Sequence, residues 1–246
     1  MSKPFLILQL RPETEAADDE YAAILRKGGL TADQTLRVRL DQTALPDDLR
    51  LDDFAGVIVG GGPGCVSDPP EQKSEVEARI ETAILSLMPE ITGRDFPFLG
   101  CCYGIGILGK HLDGDVSKAA YSEPVGTSDC QVTADGRNDP LLRGVPDRFQ
   151  AFVGHKEAMQ SLPQECTHLV SSSACPYQMV RYGRNVYATQ FHPEADGDGF
   201  RTRILIYKHR GYFPPDAAEE LIEMCATADV FAPEIVLRNF VARYGS

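Results

Sequence analysis

The stretch PFLGCCYGIG, residues 97–106, sets Cys101 and Cys102 side by side after a short apolar run, with Gly100 and Gly104 two residues either side of Cys102. Adjacent cysteines do not readily pair with each other. An apolar strand that breaks into glycines and continues as the helical pattern GIGILGKHLDG must turn sharply at Cys102, leaving its side chain exposed among small neighbours. This is the G-x-C-x-G form of a nucleophile elbow, with Cys102 at the centre and Cys101 turned into the sheet. A helix starting there aims N–H groups and its positive dipole end at the thiol, so a lowered Cys102 pKa is expected. The elbow alone fits equally well with two small buried packing cysteines.

The surrounding pattern is α/β. FLILQL at 5–10 reads as a buried strand, YAAILRKGG as a helix stopped at Gly28 and Gly29, TLRVRL at 35–40 as a strand, and GVIV at 56–59 as a core strand running into GGGPG. A helix follows, capped by Ser67 or Asp68 and ending near Pro89, and then FPFLG delivers the elbow. Strand, glycine turn, helix, repeated, predicts a mostly parallel sheet with crossover helices. From 116 to 195 short strands and turns replace this rhythm, with RYGRNVYA as a hairpin turning at Gly183–Asn185. After 195 the chain is helical, Asp216 and Glu219 forming a capping-box pattern. Residues 1–246 are therefore expected to form a single domain with 196–246 as a helical C-terminal extension. Its stretch RILIYKHRGYFPPDAAEEL suits a cap or a docking surface.

At 246 residues the chain can bury a substantial core, and a net charge of -12 disfavours nucleic acid and anionic membranes as partners. The apolar N-terminal run is too short for a signal or a membrane span. Seven cysteines without framework spacing or a CxxC pair point to a reducing cytoplasm, with no disulfide framework or zinc site. The glycine turn lacks both GK[ST] and GxGxxG, so no cofactor or metal is expected.

A cysteine nucleophile needs a base. Of five histidines, His192 closes the strand-like NVYATQFHPE and precedes Glu194 by two places. On an extended segment such residues project to one side, so Glu194 can take the Nδ1 proton and leave Nε2 for the thiol. Read alone, His-Pro-Glu is also a plausible loop ending; with the elbow it completes a Cys102–His192–Glu194 triad. Oxyanion donors are within reach at the Tyr103 N–H and in the GGGPG turn.

Taken together, GGGPG, PFLGCCYGIG and QFHPE resemble the class I glutamine amidotransferase family, above all the glutaminase domain of GMP synthetase and its stand-alone relatives. The resemblance implies a three-layer, flavodoxin-like α/β fold with a mostly parallel sheet flanked by helices and an additional small antiparallel sheet. It implies hydrolysis of glutamine to glutamate and ammonia, with Cys102 forming a γ-glutamyl thioester, His192 moving protons, Glu194 orienting it, and Gly62 with Tyr103 as the oxyanion hole. It places glutamine against Gly104, Gly106 and the backbone of Gly154, His155 and Lys156, although a packing role for His155 fits the sequence equally. Two departures stand out. Gly106 occupies the position where the family commonly keeps a glutamine, which opens the alternative of another γ-glutamyl or peptide substrate. No ATP-pyrophosphatase loop follows residue 195, so ammonia would pass to a separate synthase partner or be released; a non-catalytic regulatory subunit is the remaining alternative.

Overall fold

A computed structural model describes residues 2–210 and 213–245. The parallel half of the sheet is built first. Strands β1 (Phe5–Gln9), β2 (Thr35–Arg39), β3 (Gly56–Val59) and β4 (Phe98–Cys101) alternate with helices α1 (Thr14–Gly28) and α2 (Glu75–Gly93), and β4 leads into α3 (Tyr103–His111). Short β5 (Val116–Ser117), long β6 (Glu123–Val132) and β7 (Arg148–His155), short β8 (Ala158–Met159), then β9 (Cys166–Ser172), β10 (Met179–Tyr182) and β11 (Val186–Thr189) follow. Helices α4 (Gly197–Tyr207), α5 (Ala218–Thr227) and α6 (Ala232–Tyr244) complete the order.

Nine strands form one sheet in the order β2-β1-β3-β4-β11-β10-β9-β6-β7, while β5 and β8 make a separate antiparallel pair. The pairs among β2, β1, β3, β4 and β11 are parallel; β10, β9, β6 and β7 extend the sheet in antiparallel fashion. β11 thus returns from the antiparallel region to lie parallel beside β4, with Ala188 opposite Gly100 and Thr189 opposite Cys101. Both strands end at the same edge, where ligands of open α/β sheets gather.

Alternation along the strands divides the core into two layers. Phe5, Ile7, Ile58, Leu99 and Tyr187 face α1 and α6, meeting Ile24, Leu237 and Phe240. Leu6, Leu8, Val57, Val59 and Phe98 face α2 and α3, meeting Ile84, Met88, Ile105 and Leu108. This is the expected three-layer α/β arrangement with its small antiparallel sheet.

Two helix starts differ from expectation. The residues after GGGPG do not enter α2 directly: a 3-10 turn at Pro70–Gln72 intervenes, and Ser74 caps the helix in a reciprocal capping box with Glu77. α2 also runs through Pro89 to Gly93, since the missing N–H removes only one bond of a helix well anchored by Ile84, Met88 and Ile91. α5 begins from a 3-10 turn at Pro215–Ala217 with no side-chain cap, so Asp216 does not act as one. Of the 203–221 stretch, Gly211 and Tyr212 lie outside the described residues.

The last helix is integral to the core. Phe240 is fully buried, its ring 6.0 Å from that of Phe5 and 5.0 Å from that of Tyr244. Phe240→Ala is expected to destabilise the protein by about 3–5 kcal/mol. Urea unfolding followed by circular dichroism will show a lower midpoint; an unchanged midpoint would mean that α6 is dispensable to the core.

Candidate active site

Cys102 stands between β4 and α3 at φ 53 and ψ -88, a backbone conformation that non-glycine residues rarely adopt. Its N–H donates to the Thr189 carbonyl at 2.7 Å, tying the elbow to the end of β11. Gly100 makes this turn possible: a Cβ there would lie 2.9 Å from the Gly104 Cα and carbonyl carbon. A Cβ on Gly104 would meet only Val59 at 3.9 Å, so the steric demand for glycine rests on position 100.

His192 leaves β11 three residues beyond Thr189, and its Nδ1–H donates to Glu194 Oε1 at 2.9 Å. The segment is a tight turn closed by the Ala195 N–H on the His192 carbonyl at 3.2 Å, not the extended run expected. The turn achieves the same pairing and leaves Nε2 free of Glu194. Gly61, within GGGPG, lets the ring approach, because a Cβ there would come 2.6 Å from His192 Cε1. Cys102 and His192 line one small cavity, while Cys102, Gly62, Tyr103, Gly154, His155 and Lys156 line a second on its other side. A wider cleft of about 440 Å³, bordered by Gly62, Tyr103, Ile80, Lys156 and Tyr207, opens the site outward.

Gly104 and Gly106 are not at these walls. Gly104 serves the elbow. A Cβ on Gly106 would lie 3.0 Å from both Glu157 Oε1 and Val66 Cγ2, so that position faces a buried carboxylate, not the cavity. Glu157 accepts from the N–H groups of Val66 and Ser67 at 2.8 and 2.9 Å and from the Ser67 hydroxyl at 2.6 Å. His155 is buried, with Nε2 at 3.0 Å from Glu123 Oε2 and Nδ1 at 2.8 Å from the Glu157 carbonyl. It borders the cavity and braces the wall.

Two arginines absent from the sequence reading complete the site. Arg11, just beyond β1, is buried against Glu20 at 2.9 Å and donates to the Tyr207 hydroxyl at 3.3 Å. Arg203, on α4, donates from Nη2 to Glu194 Oε1 at 2.8 Å. Each carried a faint signal: Arg11 directly follows the mostly apolar run FLILQL, and Arg203 shares one helix face with Phe200, Ile204 and Tyr207.

Electrostatics follow from this burial. Desolvation pushes the Cys102 thiol up to about 12, only partly offset by Arg11, so the lowered pKa expected from the helix start is not what the structure shows. Desolvation also lowers His192, with Glu194 acting against it, which keeps the imidazole neutral and able to accept a proton. Burial alone would raise Glu194; His192 and Arg203 outweigh it and hold the carboxyl well below its usual 4.5. Glu194 therefore adds stability above the ordinary carboxylate range, which is lost as pH falls through its folded value. Among the described residues, the grouping with metal-ligand chemistry is Glu123, His155 and Cys175, within 4.8 Å of one another. Its carboxylate is already engaged by His155 and by Gln178 Nε2 at 2.5 Å. No helix among the described residues is long and apolar enough to cross a membrane.

A buried thiol of this kind will show alkylation by iodoacetamide that still accelerates between pH 7 and pH 9. The modified Cys102 peptide, quantified by mass spectrometry, checks this. A rate plateau already reached below pH 7 would show a standing thiolate instead.

The sequence matches the class-I glutamine amidotransferase family profile over residues 19–209. It is 29% identical over 160 residues to GMP synthase [glutamine-hydrolyzing] from Elusimicrobium minutum, covering 65% of this chain and 28% of that protein. The chain thus spans under a third of that relative's length. In fold it is similar to a glutamine amidotransferase of Thermotoga maritima, with a TM-score of 0.78, 20% identity and full coverage of both chains. It is also similar to the glutamine amido transferase of Methylobacillus flagellatus, with a TM-score of 0.72, 18% identity and coverage of 99% and 94%. With strands, elbow and His-Pro-Glu turn in place over most of its length, this chain belongs to the class-I glutamine amidotransferase family.

Proposed function

We propose that the protein hydrolyses the side-chain amide of glutamine through Cys102, His192 and Glu194, and that residues 1–246 work as a single domain. The observation that carries this is the meeting, at one sheet edge, of a cysteine in an elbow and a neutral histidine whose Nδ1–H is held by a buried carboxylate. In this reading His192 Nε2 takes the Cys102 proton as sulfur attacks the amide carbon, which suits a thiol that stays protonated at rest. The oxyanion forms against the N–H groups of Gly62 and Tyr103, which border the same cavity as Cys102. His192 then protonates the departing nitrogen, and water, deprotonated by His192, cleaves the γ-glutamyl thioester. Glutamine lies along Gly154, His155 and Lys156, on a wall braced by Glu123 and Glu157.

Ammonia then passes to a separate synthase partner, in the cytoplasm. The relative GMP synthase [glutamine-hydrolyzing] is more than three times as long as the segment matched here. The regulatory-subunit alternative is disfavoured by a fully assembled His192–Glu194–Arg203 array behind the thiol.

Glutamate release from glutamine, measured by a coupled dehydrogenase assay, should be abolished by Cys102→Ser and reduced on the order of 10²-fold or more in kcat by Glu194→Gln. Turnover surviving in the Cys102→Ser protein would sink this mechanism.

A further inference from the structure

Glu123 and His155 stand opposite each other where β6 begins and β7 ends. Cys175, in the short connection between β9 and β10, brings its thiol to the same point. A carboxylate oxygen, a ring nitrogen and the sulfur lie within 4.8 Å of one another, and all three residues are buried. None of them belongs to the triad.

The partners of His155 fix where its hydrogen sits. Nδ1 is 2.8 Å from the Glu157 carbonyl oxygen, which can only accept, so Nδ1 carries the hydrogen. A neutral imidazole then presents a lone pair at Nε2, and 3.0 Å from it stands Glu123 Oε2, a second acceptor. Two acceptors this close and out of water repel each other unless a positive centre is shared between them. A proton meets that need, and so does a metal ion.

Two further observations favour the ion. A proton shared by Glu123 and His155 makes no use of the Cys175 sulfur, which the fold places with care: the Cys175 N–H donates to Ser172 Oγ at 3.0 Å, and its carbonyl accepts from the Ser172 N–H at 2.9 Å. Burial pushes this thiol up to about 12, so it gives up its proton only to a strong cation. Gln178 is fully buried and donates from Nε2 to Glu123 Oε2 at 2.5 Å, yet its Oε1 is buried with no hydrogen-bond partner among the described residues. Half a turn of the amide exchanges its two end atoms and sets an oxygen donor beside the carboxylate.

We propose that Glu123, His155 and Cys175, with Gln178 Oε1 as the fourth ligand, form a structural Zn²⁺ site. Thiolate, imidazole and carboxylate are the donors zinc takes, and its bonds of about 2.0–2.3 Å set tetrahedral ligands roughly 3.3–3.6 Å apart, so a closing movement of about 1 Å completes the shell. The Nδ1–H bond from His155 to a backbone carbonyl is the outer support a zinc-bound histidine needs. Charge balances as well: one Zn²⁺ enters while the thiol proton and the proton shared by Glu123 and His155 leave. The ion enters beside Ser173 and Ala174, which are exposed next to Cys175. Once bound, it ties β6, β7 and the β9–β10 connection together at the end of β7, next to Gly154 and Lys156.

The test is a zinc titration of the chelator-treated, folded protein against a chromophoric competitor, repeated with Co²⁺ to read the sulfur-to-cobalt absorption band in the near ultraviolet. The expected result is one ion per chain, with affinity lowered on the order of ten-fold or more in both Cys175→Ser and Glu123→Gln, and the cobalt band lost in Cys175→Ser. Cys102→Ser is expected to bind zinc as the unmodified protein does, which separates this site from the elbow thiol and His192. Circular dichroism establishes that each variant is folded, and Glu123→Gln carries the test should Cys175→Ser not fold. No stoichiometric binding, binding equal in all variants, or binding lost in Cys102→Ser and kept in Cys175→Ser or Glu123→Gln overturns the inference, and the shared positive centre is then the proton alone.

Discussion

The site depends on one close approach of backbone to backbone, between Gly100 at the end of β4 and Gly104 in the first turn of α3. Because no side chain separates them, the helix leaves the strand within a single residue. That residue, Cys102, is forced to positive φ at a cost of about 1–3 kcal/mol. Two features hold it there. Ile105, Ile107 and Leu108 anchor α3 in the core, and the Cys102 N–H is fixed on the Thr189 carbonyl. Thr189 is also the last residue of the strand that leads to His192, so that strand restrains the Cys102 backbone.

A second constraint is the pairing of buried charges. Glu20 is fully buried and receives Arg11, the Gly61 N–H at 3.1 Å and Gln9 Nε2 at 3.1 Å. It therefore joins α1, β1 and the glycine turn that makes room for His192. Arg203 and Glu194 form the corresponding pair at the Nδ1 side of the imidazole. Breaking such a pair by removing one partner costs about 3–5 kcal/mol, far more than its presence contributes over an apolar alternative. Their value lies in position: they fix two charged groups around a thiol that burial keeps protonated. Arg203 comes from α4, so the helical extension builds part of the site and is not solely an outer surface.

The parallel half of the fold and the elbow were legible because each is a local pattern. Apolar runs such as FLILQL and GVIV end in turn residues, and the glycines around Cys102 mark a sharp strand-to-helix turn in which position 100 carries the steric demand. His192 and Glu194 were found by their two-residue separation, although the backbone joins them through a turn, since a short side-chain reach tolerates either geometry. The start of α2 was misplaced because Ser67 and Asp68 look like caps, whereas Ser67 is taken up by Glu157, ninety positions away. Ser74 and Glu77, which do cap the helix, carry the S-x-x-E pattern locally. Arg11 and Arg203 were missed for the opposite reason: their partners lie across the fold, and no spacing announces them.

Gly106 shows how a departure from a family pattern becomes intelligible once its neighbour is known. Its missing side chain is matched by Glu157, whose carboxylate lies where a Cβ would press at 3.0 Å. That carboxylate binds two backbone N–H groups and a hydroxyl in the segment that follows the glycine turn, and Glu157 itself follows Lys156 on the cavity wall. A side chain at 106 would press on both Glu157 Oε1 and Val66 Cγ2 at 3.0 Å, so one of them must give way. The glycine and the glutamate are therefore one device. They tie the wall of the cavity beside Cys102 to the segment that follows the glycine turn.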